Sequence, residues 1–196
     1  MTDTTTASSA DALKEWEMSF GSLDDYTTPS KSAGFQFEFE TNYKVRIERA
    51  TKMTSSRDDA QIVLDLVVMG EQPGKHTEYL VLPIQPVSDR KLDKELLGKL
   101  TVMRRDSLRR ILSVTDPRFA IKGKLSVDEE RDLNRAVLEK SLELQALDDG
   151  TQIDEWTDTL LYLVQVPNRK NKNYPYRNLY PTPVKKYPVH GDDTPF

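Results

Sequence analysis

From position 35 apolar and polar residues alternate. Phe35, Phe37 and Phe39 fall on one side, and beyond Thr41 and Asn42 the alternation resumes with Tyr43, Val45 and Ile47 against Lys44, Arg46 and Glu48. A period of two sends successive side chains to opposite faces of an extended chain, so the stretch predicts a strand. Residues 61–69 (QIVLDLVVM) are apolar on both faces and stop at Gly70; Glu71, Gln72, Pro73 and Gly74 then turn into a strand over 77–84 (TEYLVLPI). Strands joined this way form an antiparallel meander.

The period then lengthens. Leu92, Leu96, Leu97, Leu100, Met103, Leu108, Ile111 and Leu112 recur at threes and fours, predicting a helix over 92–114 that stops before Asp116 and Pro117. Ser126, Val127, Asp128 and Glu129 spell a capping box that opens a second helix running to about residue 147. Either 119–125 (FAIKGKL) or 159–166 (TLLYLVQV) supplies a fourth strand, and a polar loop returns the chain as Tyr174 to Tyr180.

Three strands, a helix and two more strands is the order of the OB fold, a five-stranded Greek-key barrel. The expected fold is therefore mainly β with helices: an OB barrel over 35–180, with a helical insertion at about 126–150. Residues 1–34, rich in Ser, Thr, Asp and Gly, read as a flexible arm with one short amphipathic helix over 11–20 carrying Leu13, Trp16 and Phe20. Residues 181–196 read as a flexible tail on a Pro-rich leader (YPTPVKKYP) that extends away from the body.

Composition narrows the chemistry. With 196 residues and 37% hydrophobic content, the chain can bury one core. It has no Cys, and His76 and His190 lie far apart, which leaves little for thiolate metal sites, nucleophilic cysteines or triads. No enzyme activity, metal or cofactor is expected. No apolar run approaches the roughly 20 residues of a membrane span, and the start MTDTTTASSADALK lacks the basic and apolar stretches of an export signal. The expectation is a cytoplasmic protein without membrane contact.

Charge is unevenly placed. The whole chain is −4, yet residues 90–124 carry eleven basic against four acidic residues, 126–158 carry three against eleven, and 167–191 carry six basic residues and no acid. A local field attracts a polyanion whatever the average. The last of these stretches interleaves Arg169, Lys170, Lys172 and Arg177 with Tyr174, Tyr176 and Tyr180. Single strands are held by this mixture, because cations track phosphates while aromatic rings stack on bases that a duplex would hide. Lys44, Arg46, Arg49, Lys52 and Arg57 form a second positive line on and after the first strand, and Tyr43 or Tyr79 offers a further ring. The structural alternative is a hairpin whose tyrosines pack on the barrel and whose lysines are merely solvated. Arg104, Arg105, Arg109 and Arg110 lie opposite the leucines of the first helix and read as a solvated face with auxiliary contacts.

The chain closes with Gly191, Asp192, Asp193, Thr194, Pro195 and Phe196. This segment resembles the acidic tip of bacterial single-stranded DNA-binding proteins. A terminal Phe joins a ring to its own carboxylate, so an apolar pocket with a basic rim can capture both, and the aspartates strengthen the encounter. The body resembles divergent phage-encoded single-stranded DNA-binding proteins with an OB core, in its YKVRIERA opening strand, long central helix and basic closing hairpin. The resemblance implies sequence-independent coating of single-stranded DNA during replication, recombination and repair. It also implies recruitment of replication or recombination enzymes through Asp192, Asp193, Pro195 and Phe196, in the host cytoplasm if the protein is phage-encoded. The rival expectation is a structural or adaptor protein without a nucleic-acid role.

Overall fold

The structure is a computed structural model that describes residues 35–56, 58–70, 73–83, 94–120, 123–168 and 175–191. It is a mainly-β open antiparallel sheet of five strands with two helices: β1 Asn42–Thr54, β2 Ala60–Val68, β3 Gly74–Val81, α1 Lys94–Thr115, α2 Val127–Gln145, β4 Leu160–Val166 and β5 Tyr176–Tyr180. The strand order is β3-β2-β1-β4-β5. Among the described residues no helix is long and apolar enough to cross a membrane.

The meander forms as its alternation dictates. Val45 and Ile47 of β1 lie opposite Val68 and Leu66 of β2, and Val45 also faces Leu161 of β4. These residues join one core with Leu108, Ile111 and Leu112 of α1, Val137 and Leu144 of α2, and Trp156. Leucines at threes and fours therefore do what an amphipathic stripe does, turning α1 onto the sheet. The helix touches both β3 and β5, the two edges of the sheet. The capping box exists as read, with Ser126 Oγ accepting from Glu129 N and Ser126 N donating to Glu129 Oε2 at 2.8 Å.

Of the two segments that the sequence offered for the fourth strand, the one over 159–166 supplies it, as β4. The other segment and three further features differ from the sequence reading. Residues 117–119 form a 3₁₀ turn capped by Asp116, whose carboxylate accepts from Arg118 N, and Phe119 drops into the core as a single anchor rather than alternating. The first strand begins at Asn42, not at Phe35, because Glu40 takes a left-handed φ of 57° and breaks the extension. The preceding segment crosses the end of the sheet instead: Phe35 lies on Gly74 of β3, where a Cβ would come within 2.4 Å of its ring, and Glu40 N donates to Gln165 O of β4 at 2.8 Å.

A third departure is a bulge at Ile47/Arg49, which makes Glu48 the extra residue. It shifts the phase of β1, so Lys52 points inward opposite Ile62 with its side chain 7% exposed. There Asp149 pairs with its ammonium and also accepts from Thr54 N at 3.0 Å; these contacts, led by Lys52, hold the Asp149 carboxyl below the usual range.

The last is the leader after β5. Expected to extend away, it folds back and is fastened to Asn42, which is 0% exposed. Asn42 Nδ2 donates to the carbonyls of Val184 (3.0 Å) and Tyr187 (2.8 Å), and Oδ1 accepts from Val184 N at 2.8 Å. Asn42 N donates to Pro188 O, His190 N donates to Asn42 O, and the His190 ring stacks on Tyr43 at 4.6 Å. The expected N-terminal helix over 11–20 lies outside the described residues.

Candidate nucleic-acid interface

Strand register fixes which side chains share a face, because directly opposed residues project the same way. Lys44 of β1 lies opposite Tyr162 of β4, and Tyr162 lies opposite Tyr180 of β5. One ammonium and two phenol rings thus stand in a row across three strands. Alternation along β5 adds Asn178 and Tyr176 to the same face, opposite Val164 and Val166. Tyr162, Tyr176 and Tyr180 are all half-buried, so each ring is seated on the body and still reachable.

Cations crowd this row. Arg110 of α1 lies over the Tyr180 ring at 4.6 Å. Lys186, carried on the folded-back leader, has its ammonium held above the ordinary lysine range chiefly by the Tyr187 hydroxyl, with Glu40 and Tyr180 near enough to add to the effect. Among the described residues no carboxylate forms an ion pair with Lys44, Arg110, Arg177, Lys185 or Lys186.

The remaining outward cations of β1 and β3 are the opposite case. Arg46 pairs with Asp158, Arg49 places two donors on Asp65 Oδ2 at 2.9 and 2.7 Å, and Lys75 meets Glu48 at 2.8 Å. The second positive line is therefore largely neutralised. Lys52 is closed to phosphate by burial and Asp149.

Tyr43 offers no free ring face. It is 1% exposed, wedged between Phe35, Phe37 and His190, and its hydroxyl accepts from Glu38 N at 3.0 Å; burial pushes its pKa up. Tyr79 is half-buried opposite Val63, and its phenol is pushed up by burial and by the charges of Asp65 and Glu78, a setting that disfavours phosphate. Arg177 is on the face opposite Tyr176 and Tyr180, where it donates to Gln165 Oε1 at 3.0 Å and sits 5.9 Å from the Phe37 ring. The structure brings together Lys44, Tyr176 and Tyr180, and separates them from Tyr43, Lys52 and Tyr79. Arg57, Arg169, Lys170, Lys172, Tyr174, Asp192, Asp193, Pro195 and Phe196 lie outside the described residues.

Sequence reasoning missed Tyr162 and Asn42. Tyr162 hides in an apolar run, and only its register opposite exposed Lys44 puts it on the outer face. A cleft of about 460 Å³ between α1 and α2 is lined by Arg105, Glu130, Arg131, Asn134 and Arg135 among others. Its arginines are occupied, Arg131 by Asp128 and Arg135 by Glu139, each at 3.0 Å.

No protein-family model matches the chain, and no curated protein matches it at a significant level.

Proposed function

We propose that this chain is a non-enzymatic protein that binds single-stranded DNA without regard to sequence, on an OB barrel. The observation that carries the reading is the row Lys44, Tyr162 and Tyr180 with Arg110 stacked on its end. Stacked bases contribute about 1–3 kcal/mol each, and unpaired cations beside the rings supply the attraction for phosphate. A duplex, whose bases are already stacked, gains nothing from the rings.

Strand order supports the barrel. A Greek key places its strands in the order 4-1-2-3, and β4-β1-β2-β3 with β5 outside β4 has that order, with α1 reaching both edges where a barrel closes. The terminal Asp192, Asp193, Pro195 and Phe196 recruit replication, recombination or repair enzymes in this reading, which rests on their resemblance to the bacterial acidic tip. The work is done in the cytoplasm. An adaptor role without nucleic acid draws instead on the acidic surface of α2, where Asp128, Glu129 and Glu130 crowd the first turn beside exposed Val127.

Titration of the full chain with a labelled dT oligomer and with duplex DNA of equal length, each at two salt concentrations, tests the proposal. The expected result is tighter binding of the single strand, with log affinity falling by about 0.7 per phosphate contact for each unit of log salt. Equal affinity for the duplex, or affinity indifferent to salt, overturns it.

A further inference from the structure

We infer that the bound strand leaves the sheet at Tyr180 and continues along α1, and that it does not cross β2 and β3. The inference rests on the single-strand reading above and deepens it by assigning the path.

Among the described residues, Arg49 has Asp65 and Lys75 has Glu48 on the β1–β3 side, and Arg46, opposite Leu160 at the seam of β1 and β4, has Asp158. Phosphate arriving there must displace or repel a carboxylate already in place, and like charges disfavour that exchange. On the β4, β5 and α1 side the balance is reversed. Arg110 has no carboxylate partner among the described residues, and Asp106 alone stands between Arg105 at 3.7 Å and Arg109 at 3.8 Å.

Met103, Ser107, Arg110 and Val114 follow one another at four, three and four residues, so they share a stripe of α1. Met103 is 50% exposed and Val114 41%. Two apolar side chains left in water on either side of an arginine form a surface on which bases can pack while Arg110 meets a phosphate. Arg110 lies over Tyr180, so this stripe is continuous with the row on the sheet. Arg110 is then part of the binding track, while Arg105 and Arg109 lie farther round the helix with Asp106.

Two double variants of equal charge test the path. Lys44→Gln with Arg110→Gln and Arg49→Gln with Lys75→Gln each remove two positive charges, so a purely global effect would be the same in both. The expected outcome for the first is an affinity for a dT oligomer about tenfold lower, with a salt slope shallower by about 1.4, the value for two lost phosphate contacts. The second is expected to stay within about twofold of the native chain. Equal losses, or a larger loss in the second variant, overturn the path while leaving single-strand binding in place; absence of dT binding by the native chain overturns the function and the path together. Lys44 is exposed, so Lys44→Gln alone keeps the test open should Arg110→Gln disturb folding. Its expected slope change is about 0.7.

Discussion

Asn42→Ala is expected to lower unfolding stability by about 3 kcal/mol, because truncation strands three part-buried backbone groups at once, each costing roughly 1 kcal/mol or more when left unpaired. The side chain is fully buried and bonds the carbonyls of Val184 and Tyr187 and the amide of Val184. The bonds from Asn42 N to Pro188 O and from His190 N to Asn42 O use backbone alone and survive in principle, but they lie on a segment whose main fastening is gone. Urea unfolding gives the energy, and limited proteolysis reads the release through cleavage near Lys185 and Lys186. Asn42→Asp keeps the acceptor for Val184 N but turns a donor into an acceptor facing carbonyls, so it should be no milder than alanine. A loss under about 1 kcal/mol with the leader still protected contradicts the clasp.

The second large effect concerns the rings. Truncating Tyr162 and Tyr180 together to Ala should weaken dT binding about a hundredfold, the sum of two modest stacking losses of roughly 1.4 kcal/mol each. The corresponding double Phe variant keeps both ring faces and should bind within about threefold of the native chain. That contrast separates stacking from hydrogen bonding by the hydroxyls. Tyr180 also carries Arg110, so thermal unfolding of each variant must accompany the titration. Full affinity in the Ala variant removes the rings from the site.

Much of the architecture follows from local rules visible in the sequence. The leucine spacing of α1, the Ser126 and Glu129 box and the alternation around Val45 and Ile47 each depend on neighbours within a few residues, and each element formed where its pattern lies. What the pattern could not reveal depends on partners far along the chain. The bulge at Ile47/Arg49 turns Lys52 inward although its spacing from Lys44 suggests the outer face. Arg46 and Arg49 look like a cationic line until Asp158 and Asp65 arrive from elsewhere in the fold. Asn42 reads with Thr41 as no more than a break in the alternation, yet its side chain fastens a segment more than 140 positions away.

The site was legible in the same partial way. The mixture of tyrosine and cation around β5 was visible as composition, and Tyr176 and Tyr180 do share a face. Arg177 belongs to the other face, since alternation assigns adjacent residues to opposite sides. The row itself needs the β4–β5 register, which sets Tyr162 beside Tyr180, and the β1–β4 register, which pairs positions over 100 residues apart and leaves no trace in any short window. Tyr43 illustrates the converse: an aromatic ring on a basic strand is a stacking candidate by composition, and only burial against Phe35, Phe37 and His190 reveals its structural role.

An unpaired polynucleotide lying on β4, β5 and α1, as proposed, would leave a covalent trace there. Photocrosslinking the full chain to a bromouracil-substituted oligomer, followed by peptide mapping, tests it most directly. Adducts are expected in peptides containing Tyr162, Tyr176, Tyr180 or the Arg110 stretch of α1. Adducts confined to β2 and β3, or none above the level given by duplex of the same composition, would contradict it.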